Sequence, residues 1–202
     1  MRPAMPRFAT AFLGLLVSLC VTTGAAAQSE DAPVRYVVRK GDTLIALGNR
    51  YFQTPQSYKI VQSQNRIANP QAIPVGKILS IPRSLLKYRP ASAEIIAVRG
   101  RDTQDNSAAP MGQKLPEGTS IRTGPSSFAT MVLDDGSRIS LPSNSAVRIR
   151  RLRTYLLGNI LDYDFVVARG GIRSSVVKQK SPDDSYRVRT RKAVSAVRGT
   201  DF

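Results

Sequence analysis

Asp162 and Asp164 are the residues of this chain best spaced for chemistry: two carboxylates two positions apart, on one face of any strand that carries them. Paired carboxylates are the minimum that glycoside hydrolysis requires, one as acid and one as base or nucleophile. Little else supports catalysis. The sequence has no histidine and a single cysteine, Cys20, so a Ser-His-Asp arrangement, an imidazole base and a histidine-based metal site are all unavailable. Asp162 and Asp164 are therefore expected to balance arginines on nearby strands, such as Arg151 and Arg153. Asp134 and Asp135 precede Gly136 and are expected to serve a turn. The chain is expected not to be an enzyme and to use no cofactor and no metal.

Cationic charge is the second chemical feature. With 30 Lys and Arg against 14 Asp and Glu the net charge is +16, which draws a protein toward polyanions over long range. Arg148, Arg150, Arg151 and Arg153 concentrate part of that charge. Guanidinium forks suit phosphate and carboxylate alike, so the cluster could be a contact surface; a solvated strand face is the plainer expectation. No nucleic-acid partner is expected, because single-strand binding interleaves aromatics with the charges and only Tyr155 is near.

Residues 1–27 have the make-up of a signal peptide. Arg2 and Arg7 precede an apolar run over residues 8–21, and Ala25-Ala26-Ala27 offers a small-residue cleavage site before Gln28. The run is shorter than the roughly 20 residues a membrane-spanning helix needs, so no transmembrane span is expected in the mature chain. Cys20 lies inside the run behind Leu19 rather than a small residue, which argues against lipid attachment. Cleavage would remove the only thiol and two positive charges, lowering the net charge from +16 to +14. The expected location is the periplasm or cell envelope, where anionic polymers and lipid phosphates are the natural counter-charges.

The elements that must position these residues fall into two groups. Val34, Tyr36 and Val38 alternate with Arg35 and Val37, predicting a strand with one face on a core. Gly41-Asp42-Thr43 is a turn and helix start, where Asp42 or Thr43 can accept from free helix N–H groups. Leu44, Leu47, Gly48 and Tyr51 then form one apolar stripe. Thr54-Pro55 predicts a second helix start, a capping hydroxyl followed by Pro at the first position. Tyr58, Val61 and Asn65 lie along one side of that helix, which should end before Asn69-Pro70. A short strand after Gly76 closes a β-α-α-β unit.

This unit resembles the LysM module, on Tyr36-Val37-Val38, Gly41-Asp42-Thr43-Leu44, Asn65 and the closing Pro74-Val75-Gly76-Lys77-Ile78-Leu79-Ser80-Ile81-Pro82. One departure is Val75 between the usual Pro and Gly. The resemblance implies binding to the N-acetylglucosamine-containing glycan of peptidoglycan or chitin. In the family the groove lies between the loop after the first strand and the loop before the second. Carried over, that marks Gly41, Asp42, Thr43 and Leu44 on one side and Asn69, Pro70, Gln71, Ala72 and Ile73 on the other. The plainer alternative is that Asp42 or Thr43 only caps a helix and Ile73 only packs. Peptidoglycan glycan strands are the expected partner, with stem carboxylates as a further counter-charge.

Residues 84–92 look like a linker, and from 93 onward the pattern changes to short alternating runs between turns. A polar loop is expected over residues 102–110, and tight turns at Pro116-Glu117-Gly118 and Thr123-Gly124-Pro125. Ala129, Met131 and Leu133 alternate up to Asp135-Gly136, and Ile139 and Leu141 continue beyond, predicting a hairpin. Further strands are expected over residues 147–152, 160–168, 172–177, 186–188 and 193–197, giving an all-β region, a sandwich or a solenoid-like sheet.

This second region resembles the FecR domain, on residues 115–124, Asp135-Gly136-Ser137, Leu141-Pro142, Gly170-Gly171 and the ending Arg198-Gly199-Thr200-Asp201-Phe202. The expected class is therefore α+β: signal peptide at 1–27, β-α-α-β LysM module at 34–83, linker at 84–92 and all-β FecR-like domain at 93–202. The FecR resemblance implies protein contacts and a regulatory or interaction scaffold in the envelope. FecR-type regulators carry a cytoplasmic part and a membrane span ahead of this domain; here a leader and LysM take that place. The family's Arg-Gly-Thr element usually leads into further strands, so a fragment ending early at Phe202 is expected. The main alternative is the targeting part of a cell-wall-modifying enzyme, and a third is an adaptor that binds an envelope protein.

Overall fold

The computed structural model describes residues 32–100, 102–104, 107–108, 110–191 and 193–197. The expected leader and cleavage site at 1–27 and the ending Arg198-Gly199-Thr200-Asp201-Phe202 lie outside the described residues.

Strand β1 (Val34–Val37) buries Val34 and exposes Arg35 and Val37, as alternation requires. It pairs antiparallel with β2 (Ile78–Ile81), Tyr36 opposite Leu79. Between them run α1 (Leu44–Tyr51), a 3-10 turn (Pro55–Ser57) and α2 (Tyr58–Gln64), the β-α-α-β order expected. The predicted stripe on α1 is buried at Leu44, Leu47 and Gly48. A Cβ at Gly48 would lie 2.6 Å from the Pro55 carbonyl oxygen, so glycine is what lets the next turn cross the helix so closely.

The capping bond expected at Thr54 is not made. Its side chain makes no cap, and the turn closes through the Ser57 N–H to the Thr54 carbonyl at 3.0 Å. The tighter 3-10 geometry satisfies that donor from the backbone instead. Helix α2 ends at Asn65, whose amide nitrogen donates to the Val61 and Ser80 carbonyls and whose Oδ1 accepts from the Ser80 N–H. One side chain thus caps the helix and ties it to β2.

Residues 84–92, expected as a linker, are packed against both regions. Arg83–Leu85 forms a 3-10 turn, Leu86 is buried and bridges to Phe52, and β3 (Tyr88–Pro90) pairs with β11 (Ala146–Tyr155). The cause is apolar area, since a module this small has little core of its own. Leu44, Phe52, Val61, Leu79, Ile81 and Leu86 share one cluster with Tyr155, Leu157 and Ile160, which lie around the tip of a hairpin far along the chain. Arg83, itself buried, seals the junction: its Nε donates to the Ala32 carbonyl, its Nη2 to the Asp183 carbonyl, and it lies over the Tyr155 ring.

From Ala91 onward two sheets close on one core, a sandwich. The smaller runs in the order β13 (Arg173–Ser175), β10 (Arg138–Leu141), β9 (Phe128–Leu133), β4 (Ala93–Arg99), β7 (Lys114–Leu115). The larger runs β15 (Val194–Val197), β14 (Ser185–Arg189), β12 (Ile160–Arg169), β11, β8 (Ser120–Thr123), β5 (Asp102–Gln104), β6 (Ser107–Ala108). Part of the segment expected as a loop at 102–110 therefore extends the larger sheet. Ile95, Met131 and Ile139 from one sheet meet Ile121, Ile149, Leu152, Tyr163 and Phe165 from the other. The predicted Asp-Gly hairpin joins β9 to β10, with Asp135 accepting from the Ser137 N–H and hydroxyl. Strands β12 and β14 pair in parallel. Among the described residues no helix is long and apolar enough to cross a membrane.

Candidate functional site

Two turns of the small module face each other. After β1 the chain turns through Gly41, whose φ of +89° lies in the left-handed region that glycine tolerates. The Asp42 carboxylate accepts from the Arg39 N–H and from the Tyr36 hydroxyl, both at 2.7 Å. Burial and this neighbouring carboxylate push the Tyr36 hydroxyl up to about 12. Thr43, not Asp42, caps α1, its Oγ1 accepting from the Ala46 N–H at 3.0 Å. On the opposite side the Asn69 Oδ1 accepts from the Gln71 N–H at 2.9 Å and its carbonyl from the Ala72 N–H at 3.2 Å, a self-stapled turn.

One hydrogen bond joins the two sides: the Leu44 N–H donates to the Pro70 carbonyl at 2.8 Å. Leu44 and Ile73, 0% and 8% exposed, pack below this seam and present almost no side chain to solvent. Gly41, Asn69, Gln71 and Ala72 are exposed, and Asp42, Thr43 and Pro70 are half-buried. All nine sequence-marked residues thus gather at one seam, but Asp42 and Thr43 are committed to holding their own turn. Sequence reasoning missed the adjoining surface, a shallow pocket of about 550 Å³ lined by Tyr58, Gln62, Arg66, Ile67 and Ala68 among others. Gln62 Nε2 shapes its wall by donating to the Ile67 and Ala68 carbonyls. Of its lining, the sequence reading had singled out only Tyr58, on one side of α2.

The carboxylates of the larger sheet have a different fate. Asp162 and Asp164 share one face of β12 and are 0% exposed. Asp162 meets Arg187 Nη2 at 2.6 Å, the Tyr155 hydroxyl at 3.1 Å and Arg151 at 3.4 Å. Asp164 meets Arg189 Nε at 2.9 Å and Arg150 at 3.1 Å. A bulge between Ile149 and Arg151 lets the consecutive Arg150 and Arg151 both reach this face.

Arg153 was expected beside these aspartates, but it pairs with Glu117, which also accepts from the Leu152 N–H at 3.0 Å. Burial alone would raise the Glu117 carboxyl, but the Arg153 bond, the Leu152 N–H and the charges of Arg153 and Arg151 outweigh it and hold it below its usual range. Of the cluster expected as a solvated face, only Arg148 is exposed; Arg150, Arg151 and Arg153 are ion-paired. Among the described residues no group of three or more His, Cys, Asp or Glu could hold a metal ion.

The family model of the LysM domain matches residues 36–82, which contain both facing turns, and that of the FecR protein matches residues 119–202. No curated protein and no solved structure matches the chain. The chain therefore carries a LysM domain followed by a FecR domain.

Proposed function

We propose that the LysM domain binds the N-acetylglucosamine-containing glycan strands of peptidoglycan at the seam between residues 41–44 and 69–73, without catalysis. The observation that carries this reading is the Leu44 N–H to Pro70 carbonyl bond, which clamps the two turns side by side within the LysM match. Around it, Gly41, Asn69, Gln71 and Ala72 are exposed; the Gln71 and Ala72 N–H groups are taken by Asn69, so their carbonyls and the Gly41 backbone are what the seam offers to an N-acetyl amide. Each contact is modest, because the chain has no tryptophan to stack on a sugar ring. Retention on a wall polymer then comes from many equivalent sites. The FecR domain serves as an interaction scaffold held in the envelope, reached by export through the leader at residues 1–27.

The test is co-sedimentation of the chain from residue 28 onward with insoluble peptidoglycan. The protein should pellet with the polymer, chitin oligomers should release it, and Ala72→Asp should weaken it. Complete loss of pelleting in high salt with no effect of the oligomers would overturn the reading and leave charge attraction as the cause.

A further inference from the structure

The outer face of the smaller sheet, turned away from the sandwich core, carries a row of polar groups in register. Arg173 on β13 is opposite Ser140 on β10, Ser140 is opposite Thr130 on β9, and Thr130 is opposite Ala97 on β4. In an adjacent row Phe128 is opposite Arg99. Paired residues share a face of a pleated sheet, and burial agrees, since the alternate residues Ala129, Met131, Ile139 and Leu141 lie in the core. With Pro142, most of these residues line a cavity of about 630 Å³.

The chemistry of this cavity is specific. The Thr130 and Ser140 hydroxyls lie 3.0 Å apart at its centre, and sharing one hydrogen bond leaves them a donor and several lone pairs for a ligand. Phe128, 39% exposed, supplies an apolar platform. Arg99 and Arg173 stand exposed at opposite ends, and among the described residues neither has an ion-pair partner. That contrasts with the larger sheet, where the guanidinium groups around Asp162 and Asp164 are paired.

Three strand spacings separate β4 from β13, about 14 Å. Arg99 and Arg173 thus start from backbones about 14 Å apart, on opposite sides of the hydroxyl pair. They suit a ligand with two separated negative charges and hydrogen-bonding groups between them. An extended peptide with carboxylates at positions i and i+4 spans about 13 Å and puts both on one side. We propose that this cavity is a second binding site, which takes a short acidic peptide. Its carboxylates reach Arg99 and Arg173, its backbone amides bond the Thr130–Ser140 hydroxyl pair, and its i+2 side chain faces Phe128.

The test uses the chain from residue 28 onward and fluorescein-labelled Glu-Ala-Ser-Ala-Glu, read by anisotropy at fixed ionic strength. Arg99→Gln with Arg173→Gln should weaken binding about tenfold or more, as expected for two charge-assisted hydrogen bonds. Arg89→Gln with Arg148→Gln removes the same charge from exposed positions on the larger sheet, outside the cavity, and should leave binding within about twofold, since distant exposed charges are screened. The peptide with Gln at both ends should bind as weakly as the cavity variant. Equal weakening by the two double variants, full binding by the cavity variant, or no binding by the unaltered chain would each overturn the proposal. All four arginines are exposed, and matching circular dichroism spectra confirm that the variants fold. Competition by chitin oligomers would assign the peptide to the LysM seam and overturn it equally.

Discussion

The LysM domain fastens its turns with single short side chains, Asp42, Thr43, Asn65 and Asn69, each bonded to nearby backbone. The FecR domain fastens its outer strands with charge: Asp162 and Asp164 on β12 are gripped from β11 on one side and β14 on the other. Their cores differ in the same sense. The sandwich fills its interior from residues between Ala91 and Val188, whereas the small module completes its own with Tyr155, Leu157 and Ile160. The two regions matched in sequence thus share one buried cluster. The smaller borrows part of its interior from the larger.

The broadest way to break that comparison is alkaline pH. Tyr36 in the small module and Tyr155 at the junction are pushed up to about 12 from 10.0, first by burial and then by Asp42 and Asp162 respectively. Burial also raises Tyr163 and Tyr186 in the sandwich. Unfolded tyrosine ionises near pH 10 while these stay protonated in the fold, so their contribution is complete below about pH 10 and is lost as pH climbs toward 12 and beyond. Tyrosinate absorbance and far-ultraviolet circular dichroism should change together in one transition. Two separate transitions would show that the regions unfold independently.

Next in size is Asp164→Ala, which strands Arg150 and Arg189 and should cost roughly 3–5 kcal/mol in denaturant unfolding. A loss below about 1 kcal/mol would place this network with ordinary surface pairs. Leu157→Ala, a change within the FecR match, should cost roughly 2–5 kcal/mol. By hydrogen exchange its effect should appear first in β1 and β2, not in β9 and β10. Protection lost first in the sandwich would contradict the borrowed core. The smallest effect is a gain: the Tyr163 hydroxyl is buried with no hydrogen-bond partner among the described residues, so Tyr163→Phe should stabilise by up to about 1 kcal/mol. A loss on that substitution would mean the hydroxyl is satisfied.

What could be read from the residues alone was local. The alternation at 34–38, the Gly41 turn and the stripe from Leu44 to Tyr51 each depend on neighbours within one or two turns of chain, and so does the Asp135-Gly136 hairpin. The parallel pairing of β12 with β14 was not legible, because side-chain alternation in a strand is the same whichever neighbour it takes. Nor was the packing of residues 84–92, where one buried Leu86 sits among Lys87, Tyr88, Arg89 and Pro90. Arg153 was read against Asp162, directly opposite it in register, but Glu117 from a distant turn reaches it instead. At the seam the two turns were marked, yet whether Asp42 or Thr43 capped α1 depended on where Tyr36 pointed. The pocket along α2 left almost no local trace.

The hairpin tip lodged in the LysM core also decides how the molecule carries load. Tension entering at the turns joined by the Leu44–Pro70 bond does not leave through the chain at Pro82 alone. It passes as well into β11 and β12, which are laced to β8, β3 and β14 along their lengths. A pull along the hairpin axis then loads many ladder bonds at once, in shear, so the coupling resists detachment far better than a swivelling tether would.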